Sequence, residues 1–95
     1  MDFKMRTYGS VLESRDLATR LSFALLDDLK KNPDDHIRID FGGVRVVSNF
    51  FADEFIGTMV REMGVEKFKA SVTMFNLAEI NRVWIAKAVD KHGGK

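Results

Sequence analysis

The densest grouping of side chains suited to chemistry or recognition is Ser48-Asn49-Phe50-Phe51-Ala52-Asp53-Glu54. A hydroxyl and a carboxamide stand directly before a run of helical periodicity, where Ser48 or Asn49 can cap the helix by accepting a hydrogen bond from its first free N–H groups. The same stretch can meet a partner. Phe50 falls opposite the helix's apolar stripe, so its ring is either tucked under a loop or an interface anchor, with Asp53 and Glu54 as a polar rim around it. A phosphate on Ser48 would add about two negative charges at a helix N-terminus, where free N–H groups and the dipole favour them and Asp53 and Glu54 oppose them. A plain N-cap is the simpler role for Ser48.

Other groupings carry less. The acidic pairs Asp27-Asp28, Asp34-Asp35 and Asp53-Glu54 are chain neighbours, and neighbours on a helix point about 100° apart, so they are expected to be solvated charges and not converging carboxylates. His36 and His92 stand at a strand start and in the tail, each without a second His, Asp or Glu at metal-ligand spacing, and both are expected on the surface with no metal. Asp40-Phe41-Gly42-Gly43 ends a strand as phosphoaspartyl nucleophiles do, but the second acid two residues on is missing. Lys4, Arg6, Arg38 and His36 can gather on an open sheet face, yet without an aromatic residue for base stacking, so nucleic acid is not an expected partner. Walker-type loops, G-x-G-x-x-G and G-x-S-x-G elbows are absent from the sequence, and neither an enzyme activity nor a cofactor is expected.

The elements that must position these residues follow from periodicity. Phe3-Lys4-Met5-Arg6 alternates apolar and charged as a half-buried strand does, and Gly9 ends it. Ser14 is a plausible cap for a first helix with Asp16 in its first turn; Leu17, Ala18, Leu21, Leu25 and Leu29 share one face until Asn32-Pro33. His36–Phe41 is the second strand, closed by Gly42-Gly43 and followed by the short apolar stretch Val44–Val47. The second helix spans Phe50 to Met63, with Ala52, Ile56, Met59 and Met63 as its buried stripe and Gly64 as its stop. Ser71–Phe75 is the third strand. Asn76 with Glu79 makes a capping box for a last helix whose stripe is Leu77, Ile80, Trp84 and Ala88. The expectation is one α/β domain over residues 1–95 in the order βαβαβα, with mainly parallel strands and right-handed crossovers. Each strand keeps polar residues on one side, so the helices cover one face only. Strands then follow one another in one direction as a βα superhelix, without the switch point that usually forms a cofactor crevice.

Composition agrees. Hydrophobic residues make up 45% and charged residues 31%, enough apolar content to fold. Fifteen basic and 14 acidic residues give a net charge of +1, too little for a long-range field toward nucleic acid or anionic lipid. With no cysteine, and with apolar runs such as Phe23–Leu26 far short of a membrane span, a cytoplasmic location is expected.

The segments Ile37-Arg38-Ile39-Asp40-Phe41-Gly42-Gly43-Val44 and Val47-Ser48-Asn49-Phe50-Phe51-Ala52-Asp53-Glu54 resemble the bacterial and archaeal STAS-like domains of unknown function. Tyr8-Gly9, Ser14-Arg15, Ala18 and Asn76-Leu77 are similar to the same family. The resemblance implies the fold of anti-sigma-factor antagonists and of sulfate-transporter cytoplasmic domains. It implies a regulatory protein-binding role with a histidine-kinase-like ATPase or similar signalling protein as partner. In the antagonists a Ser within Asp-Ser-Ser-Gly is phosphorylated to break the complex. By that alignment Ser48 stands at the Asp and Phe50 at the phosphorylated Ser, so the switch does not carry over intact. A small-ligand or nucleotide sensor that uses the helix N-termini is the alternative, and a homo-oligomer through an exposed edge strand stays open.

Overall fold

The computed structural model of the protein describes residues 1–93. The chain runs through strand β1 (Asp2–Lys4), a 3₁₀ turn (Met5–Tyr8), β2 (Val11–Leu12), helix α1 (Arg15–Lys31), β3 (Ile37–Asp40), β4 (Val46–Val47), α2 (Asn49–Met63), α3 (Val65–Ser71), β5 (Val72–Phe75) and α4 (Glu79–Gly93). This is an α/β fold with every strand pair parallel. The alternating order βαβαβα is interrupted by β2, β4 and α3. Two-residue strands are too short to register as periodicity, and α3 is a single amphipathic stretch that buries Phe68 and Ser71. Ser71 therefore closes a helix and does not start the third strand.

The first strand is also shorter than the alternation from Phe3 to Arg6 predicts. Met5 does reach the core, fully buried, but as part of the 3₁₀ turn, which satisfies the same alternation while carrying the chain over to β2.

The main sheet has the order β1-β3-β5. Asp2 pairs with Arg38, Phe3 with Ile39 and Lys4 with Asp40, and Arg38 pairs in turn with Thr73. Strands are added in one direction, without reversal. Ile37 and Ile39 are fully buried, whereas Asp2, Arg38 and Thr73 are exposed across the opposite face, the pattern of a sheet covered on one side. The basic residues of the open face do have an aromatic neighbour, contrary to the sequence expectation: the Arg38 guanidinium lies 4.8 Å from the centre of the Phe75 ring. His36 is exposed as expected, its Nε2 2.6 Å from Thr73 Oγ1.

The covered side is built around α2, which packs against both α1 and α4. From α1 it receives Ala18, Leu21, Leu25 and Leu29, all buried as predicted. Flanked on two sides, α2 buries more than its expected stripe of Ala52, Ile56 and Met59. Phe51, Phe55, Thr58 and Val60 are buried as well, and Met63 is only half-buried. Phe51 and Phe55 stack with ring centres 5.5 Å apart, and each buried aromatic or aliphatic side chain contributes about 1.5–3 kcal/mol. Gly64 ends α2 at φ 84° and ψ 151°, a conformation costly for any residue with a Cβ.

Helix α4 buries only part of the stripe expected of it, at Ala88. Asn81, Ile85 and Ala88 are buried, whereas Ile80 is 68% exposed and Leu77 and Trp84 are half-buried. Its first turn is not closed by a capping box. Asn76 sits at φ 60°, and its Nδ2 donates to Asp40 Oδ1 at 3.0 Å. Gly42 N donates to the same oxygen at 2.7 Å. The Asn76 amide first, and then the Gly42 N–H, hold the Asp40 carboxyl below the usual carboxylate range.

Candidate functional site

The short ladder of β2 and β4 sets two helix starts side by side. Val11 pairs with Val46 and Leu12 with Val47, and Ser48 N donates to Leu12 O at 2.9 Å. Each strand leads directly into a capped helix. Ser14 Oγ accepts from Leu17 N at 3.1 Å and Ser48 Oγ accepts from Phe51 N at 3.0 Å. Ser48 is thus the N-cap of α2, half-buried, and its hydroxyl also donates to Glu13 O at 3.4 Å. Asn49 is the first residue of the helix and is exposed.

Phe50 is 58% exposed, and the guanidinium of Arg15 in the first turn of α1 covers its ring at 5.1 Å, a cation–π contact. Arg15 also reaches the acidic pair. Its Nη1 lies 3.5 Å from Asp53 Oδ2 and 3.3 Å from Glu54 Oε1. Asp53 and Glu54 are therefore not a free polar rim, nor are they the solvated, diverging neighbours expected of adjacent helical residues. A cation arriving from another helix, between their two directions, is what lets them converge. Glu54 Oε2 accepts from Thr19 Oγ1 at 3.0 Å and from Thr58 Oγ1 at 3.2 Å. Asp53 Oδ1 meets Lys91 Nζ at 3.1 Å and His92 Nε2 at 2.8 Å. Burial works to raise the Asp53 carboxyl, but the hydrogen bonds from His92 and Lys91, together with their charges, outweigh it and hold it at about 2.

His92 is thus no solvated tail residue. Its side chain is 15% exposed, and the approach is made possible by Gly57, where a Cβ would lie 2.7 Å from His92 Nε2. A glycine inside a helix costs roughly 1 kcal/mol relative to alanine, so its position in α2 is a sequence signal of close packing.

Helix α4 contributes the remaining parts, which periodicity does not reveal. Asn81, 1% exposed, accepts at Oδ1 from Val47 N at 2.9 Å and donates from Nδ2 to Arg45 O at 3.2 Å. Its amide closes the backbone of the segment that delivers Ser48 and Phe50. Further along the helix, Lys87 Nζ lies 5.4 Å from the Trp84 ring centre. Between the start of α2 and this face of α4 lies an open groove of about 580 Å³, lined by Arg15, Asn49, Phe50, Trp84, Lys87 and Lys91 among others.

Among the described residues no three His, Asp or Glu side chains gather as metal ligands, and no helix is long and apolar enough to cross a membrane. A family model described as a STAS-like domain of unknown function (DUF4325) matches residues 18–82. That is more than half of the chain, and the chain belongs to this family. No curated protein and no solved structure matches it.

Proposed function

We propose that this STAS-like domain is a non-catalytic regulatory module. It binds a signalling protein, of the histidine-kinase-like ATPase class, through the start of α2 and the loop before it. The observation that carries the reading is the exposed ring of Phe50 on a backbone fixed from two sides, by the Ser48 cap and by Asn81. A large apolar anchor on a pre-organised support is how an interface gains affinity without the cost of ordering a loop. The lack of cysteine suits a reducing, cytoplasmic setting.

The small-ligand reading has less support. It needs unpaired N–H groups at neighbouring helix starts, and at α1 and α2 the serine caps already take amides of Leu17 and Phe51. Addition of nucleotides is expected to leave the melting temperature unchanged, and a rise would favour that alternative.

The direct test is a pull-down from an extract of the source cells with wild-type domain and Phe50→Asp. Phe50 is the residue to change because Asp53 and Glu54 hold helices together, and their loss would mix binding with stability. A partner retained by the wild type and lost by the variant supports the reading; equal retention by both sinks the site.

A further inference from the structure

We infer that the groove between the start of α2 and α4 receives an acidic segment of the partner, in which carboxylates flank one aromatic or aliphatic side chain. The inference rests on the protein-binding reading and adds the chemistry of what is bound.

Two rings, Phe50 and Trp84, stand in the groove with three cations, Arg15, Lys87 and Lys91, and a single carboxylate, Asp53. That carboxylate is already satisfied by Arg15, Lys91 and His92, so it offers little to an incoming cation. The cations have capacity to spare. Lys87 makes no ion pair among the described residues and rests over the face of Trp84. Arg15 meets Asp53 and Glu54 through Nη1 alone, which leaves its other N–H donors for a carboxylate. Lys91 is 66% exposed. An aromatic or aliphatic side chain fits between the rings, while acidic neighbours reach the surrounding ammonium and guanidinium groups.

A second groove gives no such direction. Phe23, Leu26 and Met63 line it beside Asp27, Lys30, Glu62 and Lys67, and Phe23 is 49% exposed. Its charges are balanced, so nothing there selects an occupant. It serves as the internal control.

The test is an unbiased library of displayed random peptides about twelve residues long, a length within the span of a groove-binding segment, selected against the full chain at low salt. Enriched peptides are expected to carry two or more Asp or Glu residues around a Trp, Phe or Leu. Their synthetic forms are expected to lose about tenfold or more in affinity with Lys87→Glu and with Trp84→Ala, to weaken as salt rises, and to bind Phe23→Asp as they bind wild type. Lys87 is exposed, so its variant should fold, as thermal melts will check. No enrichment, peptides without acidic excess, or indifference to Lys87→Glu would overturn the inference. Peptides lost with Phe50→Asp but indifferent to Lys87→Glu sink the acidic chemistry and leave the interaction site standing. Peptides that bind regardless of Phe50→Asp sink both.

Discussion

Replacing Asn81 by leucine removes the two hydrogen bonds that tie α4 to the segment before α2, while keeping the number and branching of the side-chain heavy atoms. Val47 is 1% exposed, so its N–H, which now donates to Asn81 Oδ1, would stay buried without an acceptor at a cost of about 1–3 kcal/mol. The bond from Asn81 Nδ2 to Arg45 O is part-buried, and its loss should cost about 0.5–1.5 kcal/mol. Asn81→Leu is thus expected to lower stability by about 2–4 kcal/mol, a large share of the roughly 5–14 kcal/mol available to a domain of this size. The melting temperature would fall by about 10–30 °C. Urea unfolding followed by circular dichroism should show a lower midpoint with an unchanged slope, because the surface exposed on unfolding is the same. Hydrogen exchange gives the local readout: the Val47 amide should lose protection beyond the global loss as the β2–β4 ladder opens. A loss under about 0.5 kcal/mol, with Val47 still protected, would refute the assignment of Asn81 as the clasp of this segment.

Three further outcomes are expected. The Asp53 carboxyl is held at about 2 against an ordinary 3.8, so the folded state binds fewer protons than the unfolded chain in that window. The stability it contributes is complete above pH 3.8 and disappears as pH falls through about 2. It amounts to about 1–2 kcal/mol after screening at this solvent-edge site. The difference in urea midpoint between wild type and Asp53→Asn should shrink along that descent, and a constant difference would contradict the linkage. Gly64→Ala should cost about 1–2 kcal/mol in a thermal melt through backbone strain alone, because no heavy atom lies within 4 Å of the added Cβ. Ser48→Ala should cost about 1 kcal/mol by uncapping α2, whereas Ser48→Asp keeps a side-chain acceptor there and should melt close to wild type. If Ser48→Asp keeps its stability and loses the proposed partner, added charge and not uncapping is what the proposed interface senses.

The parts of the fold set by repetition were legible. The α1 stripe, the buried isoleucines of β3 and both serine caps follow from spacing and residue type, and they appear where expected. What escaped was decided by pairing between distant residues. Ile80 and Trp84 are more apolar than Asn81, yet Asn81 is the buried one, because its amide satisfies backbone groups of Arg45 and Val47 that would otherwise be orphaned. His92 turns inward for the same kind of reason, with Asp53 as its partner and Gly57 leaving the room. A rule that assigns polar residues to solvent has no means of seeing either. Around the start of α2, the Ser48 cap and the place of Phe50 opposite the apolar stripe were legible, but the environment of Asp53 and Glu54 was not, since it depends on Arg15 in one helix and Lys91 in another.

This division bears on how variants of the surface are to be interpreted. Arg15, Asp53 and Glu54 join three helices, and Asn81 holds the loop, so a change at any of them alters packing before it alters recognition. Phe50 projects from the same support with the Arg15 guanidinium over its ring, and Lys87 is exposed on α4; neither takes part in the ion pairs that join the helices. Isolated exposed ion pairs are worth about 0–1 kcal/mol, but five side chains, Arg15, Thr19, Thr58, Lys91 and His92, converging on one carboxylate pair hold α1, α2 and α4 in a fixed relation. That relation keeps the rings and cations of the groove at their spacing. Binding lost in Phe50→Asp at unchanged stability therefore reports contact, whereas binding lost in Asp53→Asn together with a lower midpoint reports a support that has given way.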